Sequence, residues 1–146
     1  MPCELCEGVG GELIWADAKC RVVRVGDPDY PGFCRVVWQE HTKEMTDLEP
    51  ADRGHFMRIV FAVEKALRGV LHPDKINLAS LGNVTPHLHW HVIPRFHDDR
   101  HFPNPVWGAV AARSHAVAQV TAPQLAQSLQ QTLSETFLQR DGSEID

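Results

Sequence analysis

The chain has 146 residues, of which 43% are hydrophobic and 23% charged, with a net charge of −5. That is enough for one ordinary hydrophobic core without staples, and the acidic balance argues against non-specific binding to a nucleic-acid polymer or an anionic membrane. No apolar run approaches the ~20 residues that span a bilayer, and Met1–Cys6 lacks the basic and apolar regions of a signal peptide. The expectation is a single cytoplasmic domain over residues 1–146, whose four cysteines are not disulfides.

Gly8-Val9-Gly10-Gly11 reads as a flexible connection after the first cysteine pair. Glu12–Asp17 and Cys20–Val25 read as short strands joined by a turn at Asp17-Ala18-Lys19. The Pro/Gly/Asp-rich stretch Gly26–Gly32 is a loop, and Phe33–Trp38 is a third strand. Residues 46–71 carry a helical stripe of Phe56, Ile59, Val60, Val63, Leu67 and Val70. Thr46 or Asp47 is the expected cap, and Gly69 with His72-Pro73 marks the end. Lys75–Leu81 is a strand candidate, Gly82–Pro86 a turn, and His87–Pro94 a further strand. Arg95–Gly108 is polar and proline-containing, which suggests an ordered loop. Leu125, Leu129, Leu133 and Phe137 give helical spacing over Ala122–Leu138, and Arg140–Asp146 is a charged end expected to fray. Strands, a long helix, strands, a loop and a helix in that order predict an α+β fold with an antiparallel sheet.

The run His87-Leu88-His89-Trp90-His91 is the most informative segment. In a strand, alternate side chains share a face, so the histidines fall together at ~6.5–7 Å spacing. Leu88, Trp90 and Val92 face the other way and can anchor the strand in the core. At that spacing the histidines cannot all bind one zinc, whose Zn–N distances are ~2.0–2.1 Å, so their roles must divide. Cys3-Glu4-Leu5-Cys6 offers two thiolates for zinc, a redox pair, or two unpaired thiols. No second Cys-x-x-Cys exists, and Cys20 and Cys34 fall in strands, so histidines must complete any metal site; His41 and His87 are candidates. The turn Leu81–Pro86 sets Asn83 and Thr85 just before the histidines, in the manner of an anion-binding corner, although these are also ordinary turn residues.

The run His87 to Arg95 resembles the signature of the histidine triad (HIT) superfamily, in which His-x-His-x-His is followed by two apolar residues. The resemblance extends over about residues 3–110, and Pro103–Gly108 is similar to the aromatic segment that follows the triad in bacterial members. It implies a HIT-like fold, with an antiparallel sheet packed by a long helix plus a C-terminal helix. It also implies a homodimer whose partner is a nucleotide substrate, and no organic cofactor. The implied activity is hydrolysis at an α-phosphate of a dinucleoside polyphosphate or nucleoside phosphoramidate. His89 would form a nucleotidyl-histidine intermediate, with His91 donating to phosphate oxygens. The alternatives are a nucleotidyl transferase or phosphorylase, and a non-catalytic zinc-stabilised nucleotide-binding module.

Some branches of the superfamily hold a structural zinc, and the matching positions here are Cys3, Cys6, His41 and His87. The resemblance further offers Asp27 as a ribose ligand or a turn former. Asn77 is either a nucleotide contact or a strand-end cap, and Trp107 either a cover for the site or a core filler. Many members carry a longer, glutamine-containing approach to the triad; Gly82–Pro86 is shorter and has no glutamine. Asn83 or Thr85 would take its place.

Overall fold

In a computed structural model the described residues are 2–111 and 119–141, with side chains described through residue 136. The side chain of Phe137 and most of the charged end therefore lie outside the described residues. Five strands form one sheet in the order β1-β2-β3-β5-β4. They are β1 (Glu12–Ala16), β2 (Cys20–Arg24), β3 (Cys34–Trp38), β4 (Lys75–Ala79) and β5 (His89–Arg95). Every pairing between neighbours is antiparallel. Alternation assigns the faces. Cys20, Val22, Cys34, Val36, Trp38 and Val92 pack with the apolar stripe of helix α2 (Pro50–Leu71). Leu125, Leu129 and Leu133 of helix α3 (Ala122–Asp141) complete this core. The opposite face carries Arg35 across from His91 and Val37 across from His89.

The long helix begins later than its periodicity suggests. Residues Met45–Asp47 form a single 3-10 turn, closed by a capping box between Glu44 and Asp47. Pro50 then opens α2 at its first turn and holds Glu49 in an extended conformation (φ −61°, ψ 150°), which breaks any helix running through from residue 46. At the other end Gly69 lies inside the helix, and the terminus is His72 in the left-handed region (φ 48°). The last strand begins at His89 rather than His87, because the amides of His87 and Leu88 bond to the carbonyls of Thr85 and Thr42 instead of a ladder partner.

Two features escaped the periodic reading. Glu4–Glu7 forms a one-turn helix, α1, whose Leu5 packs on Val23 and Val37. The glycine-rich connection after it is held firmly: the Arg21 side chain donates to the carbonyls of Leu5 (2.7 Å), Val9 (2.9 Å) and Gly8 (3.2 Å). Gly10 has φ +88°, a backbone conformation that L side chains rarely adopt, so this turn favours glycine.

Candidate functional site

An interior strand, β5, sets the site. His89 and His91 project from β5 into a cleft of about 320 Å³ on the sheet face away from α2. The cleft is also lined by Glu4 and Leu5 of α1, Arg35 of β3, the turn Leu81–Thr85, and Trp107. Asn83 and Thr85 thus reach the cleft, and the Thr85 hydroxyl donates to Glu4 Oε1 at 2.9 Å. Trp107 is 52% exposed and meets the His91 ring edge-on with centroids 4.9 Å apart, so it walls the cleft and does not fill the core. Asp27 and Asn77 do not line this cleft. Asp27 Oδ1 accepts from the Asp29 amide (2.9 Å), an ordinary Asx turn. Asn77 Oδ1 accepts from Arg95 Nη1 (2.8 Å).

Hydrogen bonds fix the imidazole tautomers. The ring of His89 points Nδ1 at the His87 carbonyl oxygen, 2.6 Å away. A carbonyl only accepts, so Nδ1 carries the proton and Nε2 keeps its lone pair in the neutral ring. His91 lies beside it, ring centroids 4.9 Å apart. Burial, then repulsion from His89 and Arg35, pulls His91 down to about 4, which leaves it neutral at physiological pH. Its Nδ1 is buried without a hydrogen-bond partner among the described residues.

His87 has different surroundings. It is 1% exposed, its Nε2–H donates to the Trp38 carbonyl (2.6 Å), and its Nδ1 lies 3.3 Å from Cys3 Sγ and 3.4 Å from Cys6 Sγ. Cys6 Sγ lies 3.3 Å from His41 Nδ1. One ligand atom from each of Cys3, Cys6, His41 and His87 falls within 4.8 Å of every other. A tetrahedral zinc with Zn–S ~2.3 Å and Zn–N ~2.0–2.1 Å sets sulfur–nitrogen separations of roughly 3.5 Å, so the spacing fits that ion. The Trp38 carbonyl supplies the outer partner that holds a ligating imidazole in the right tautomer. Burial moves His87 below the ordinary histidine range, which favours the neutral, ligating form.

A second cluster sits just beyond the cleft. Asp99, with a fully buried side chain, pairs through both oxygens with Arg95 (2.7 and 3.0 Å). It also accepts from the amides of Phe96, His101 and Phe102 and from the Tyr30 hydroxyl. Burial pushes this carboxyl up, but Arg95 and the three amides outweigh it and hold the group well below the usual carboxylate range. Asp99 thereby organises the loop that delivers Trp107. Sequence reasoning passed over it, and over Arg35, which it read only as part of the third strand.

A family model for the HIT domain matches residues 9–98. The chain belongs to the HIT family. No curated protein matches it significantly. Similar solved structures are HIT proteins as well. A histidine triad protein from Bradyrhizobium japonicum is 26% identical at TM-score 0.70, covering 90% of this chain and 96% of its own. One from Sinorhizobium meliloti 1021 is 26% identical at TM-score 0.69 over the same shares, 90% and 96%. A zinc-bound histidine triad family protein from Mycobacterium smegmatis is 21% identical at TM-score 0.65, covering 92% of this chain and 98% of its own. The antiparallel sheet with its helices is the HIT-like α+β fold, and family membership supports a nucleotide-binding or hydrolase-type function. Among the described residues, no helix is long and apolar enough to cross a membrane.

Proposed function

We propose that this HIT protein hydrolyses a nucleotide at its α-phosphate, the substrate being a dinucleoside polyphosphate or a nucleoside phosphoramidate. The observation that carries the reading is the tautomer lock on His89. Its Nδ1–H is held by the His87 carbonyl at 2.6 Å, so Nε2 presents a lone pair to the cleft without a separate base. In the first step Nε2 attacks phosphorus and the bond to the leaving phosphate or amine breaks. The leaving group departs with the electron pair and takes a proton from solvent. In the second step water attacks the nucleotidyl-histidine, the P–N bond breaks, its electrons return to Nε2, and the water proton is released. His91, held neutral, donates one hydrogen bond to a phosphate oxygen as charge develops, and the turn at Asn83 and Thr85 lies within the same cleft.

Cys3, Cys6, His41 and His87 would hold a structural zinc. The donor set, the spacing and the zinc-bound relative support that reading. The ion would cross-link the N-terminal residues to the triad strand and stands outside the reaction. The protein works as a cytoplasmic homodimer in this reading, which light scattering at micromolar concentration tests.

The test of catalysis is His89→Ala. The expected result is loss of turnover of adenosine and guanosine phosphoramidates and dinucleoside polyphosphates, with fold and oligomeric state unchanged. Full turnover in that variant overturns the reading. Turnover in isotopically labelled water, with and without added phosphate, separates hydrolysis from transfer to another acceptor.

A further inference from the structure

We propose that the cleft wall made by Glu4, Leu5 and Arg35 recognises the base of the nucleotide and selects guanine over adenine. The inference rests on the proposed function, because it assigns the nucleoside half of that substrate. The line of attack determines which half of the substrate meets this wall. In an in-line displacement by His89 Nε2, the leaving group lies on the far side of phosphorus from the histidine, toward the mouth of the cleft. The nucleoside is attached beside that axis and extends along the sheet. Arg35 stands across the β3–β5 pair from His91, and Leu5 covers Val37, the cross-strand neighbour of His89. A nucleoside lying over β3 therefore meets Leu5 and Arg35.

Arg35 is equipped for a ligand that the protein does not supply. Among the described residues its Nε is buried with no hydrogen-bond partner, and Nη1 reaches only the Gly10 carbonyl, at 3.5 Å. The contrast is Arg21, one strand away on the same face. Arg21 donates to three backbone carbonyls and to Gln39 Oε1 at 2.6 Å, so its work is structural. A half-buried guanidinium whose Nε is sealed from water and unpaired is costly unless something completes it. Glu4 adds the opposite polarity: Thr85 occupies Oε1, and the second carboxylate oxygen can still accept from a ligand.

Guanine matches this pair of groups. Its O6 and N7 acceptors take a bidentate guanidinium, its N1–H and N2–H₂ donors suit a carboxylate, and its ring can rest on Leu5. Adenine places an amino donor where guanine has O6, so the bidentate contact is lost. The pyrimidines offer no such pair of edges on a purine-sized ring.

The test measures calorimetric binding of GMP, IMP and AMP to the full chain as purified, and to Arg35→Leu, Arg35→Lys and Glu4→Gln variants. GMP is expected to bind at least about tenfold more tightly than AMP. Arg35→Leu should bring the two to parity by weakening GMP alone, and Glu4→Gln should reduce the preference for GMP while affecting IMP less. Arg35→Lys keeps the charge without the fork and should also erase most of the preference, which covers the case in which the leucine variant does not fold. Equal affinity for GMP and AMP in the unmodified protein, or an unchanged ratio in the Arg35 variants, overturns the inference. Equal binding together with His89-dependent turnover overturns this inference and leaves the hydrolase reading standing. A guanine preference without turnover of any substrate does the reverse. No binding of any of the three nucleotides overturns this inference, and the hydrolase reading is then decided by His89-dependent turnover.

Discussion

Replacing Asp99 by alanine removes the acceptor of a buried ion pair and strands its partner. The Arg95 and Asp99 side chains are 3% and 0% exposed, so water cannot take over. The guanidinium keeps the Asn104 carbonyl and Asn77 Oδ1 but loses both carboxylate bonds, and the amides of Phe96, His101 and Phe102 lose their acceptor. Breaking such a pair from one side costs about 3–5 kcal/mol. Against a total stability of ~5–15 kcal/mol, that is a large fraction. Urea unfolding of the wild type, Asp99→Ala, Arg95→Met and the double variant measures it. The double variant should be less damaged than the sum of the two single ones, because it leaves no orphan charge. The sign of the pH dependence follows from the depressed carboxyl. Its stabilisation is complete above the unfolded value of ~3.9 and is lost as pH falls below that, so Asp99→Ala should lack this part of the acid limb. A cost under about 1 kcal/mol for Asp99→Ala, or strictly additive single costs, would refute the reasoning.

Other outcomes follow from the same geometry. The protein as purified should contain zinc, and either a strong chelator or Cys3→Ser should lower Tm by several degrees; absence of zinc together with an unmoved Tm contradicts the metal assignment. His91 is held down to about 4, so its neutral form is the one the fold favours. Its contribution is present above the unfolded value of ~6.5 and is lost as pH falls from there toward about 4, where the penalty levels off. His91→Gln should therefore flatten stability against pH in that window, and Trp107→Ala should raise the His91 titration midpoint followed by NMR. His72→Gly relieves a left-handed residue at the end of α2 and should stabilise by up to about 1 kcal/mol in denaturant unfolding.

What could be read from the sequence is what leaves a local pattern. Period-two alternation gave the strands, and the three-and-four stripe gave α2 and α3, because each element buries one face. The triad and Cys3-x-x-Cys6 were legible because their spacing is itself chemistry. The start of α2 was blurred because Glu44 and Asp47 cap a separate turn before Pro50, which imitates a longer helix. Helix α1 has four residues, too few to show a period, and is held by Leu5 packing and by Arg21. Asp27 and Asn77 were attractive by type, yet neither lines the cleft, and Oδ1 of each accepts a local hydrogen bond. Arg35 and Asp99 were invisible for the opposite reason: only the third dimension puts the strand arginine in the cleft wall and buries the loop aspartate.

The triad strand is clamped at both ends by different physical means. Its N-terminal approach is fixed by His87, whose Nδ1 lies against Cys3 and Cys6 Sγ, the latter also facing His41, and whose Nε2–H donates to the Trp38 carbonyl. At its C-terminal end Arg95 is held by Asp99, Asn77 and the Asn104 carbonyl. His89 and His91 lie between these anchors, with β3 on one side and β4 on the other, as positioning to within ~0.5 Å requires. Each anchor also carries one wall of the cleft: α1 brings Glu4 and Leu5, and the Asp99 loop brings Trp107. The walls should therefore fail separately. Chelation of the proposed zinc should loosen α1, which then keeps only the Leu5 packing and the Arg21 bonds, and weaken recognition of the base while Trp107 stays against His91. Asp99→Ala loosens Trp107 and uncovers His91 while α1 remains docked. A buried ion pair is seldom the most stabilising choice for a core. Here the carboxylate gathers three loop amides, a tyrosine hydroxyl and a strand arginine, a set of donors that no apolar side chain could satisfy.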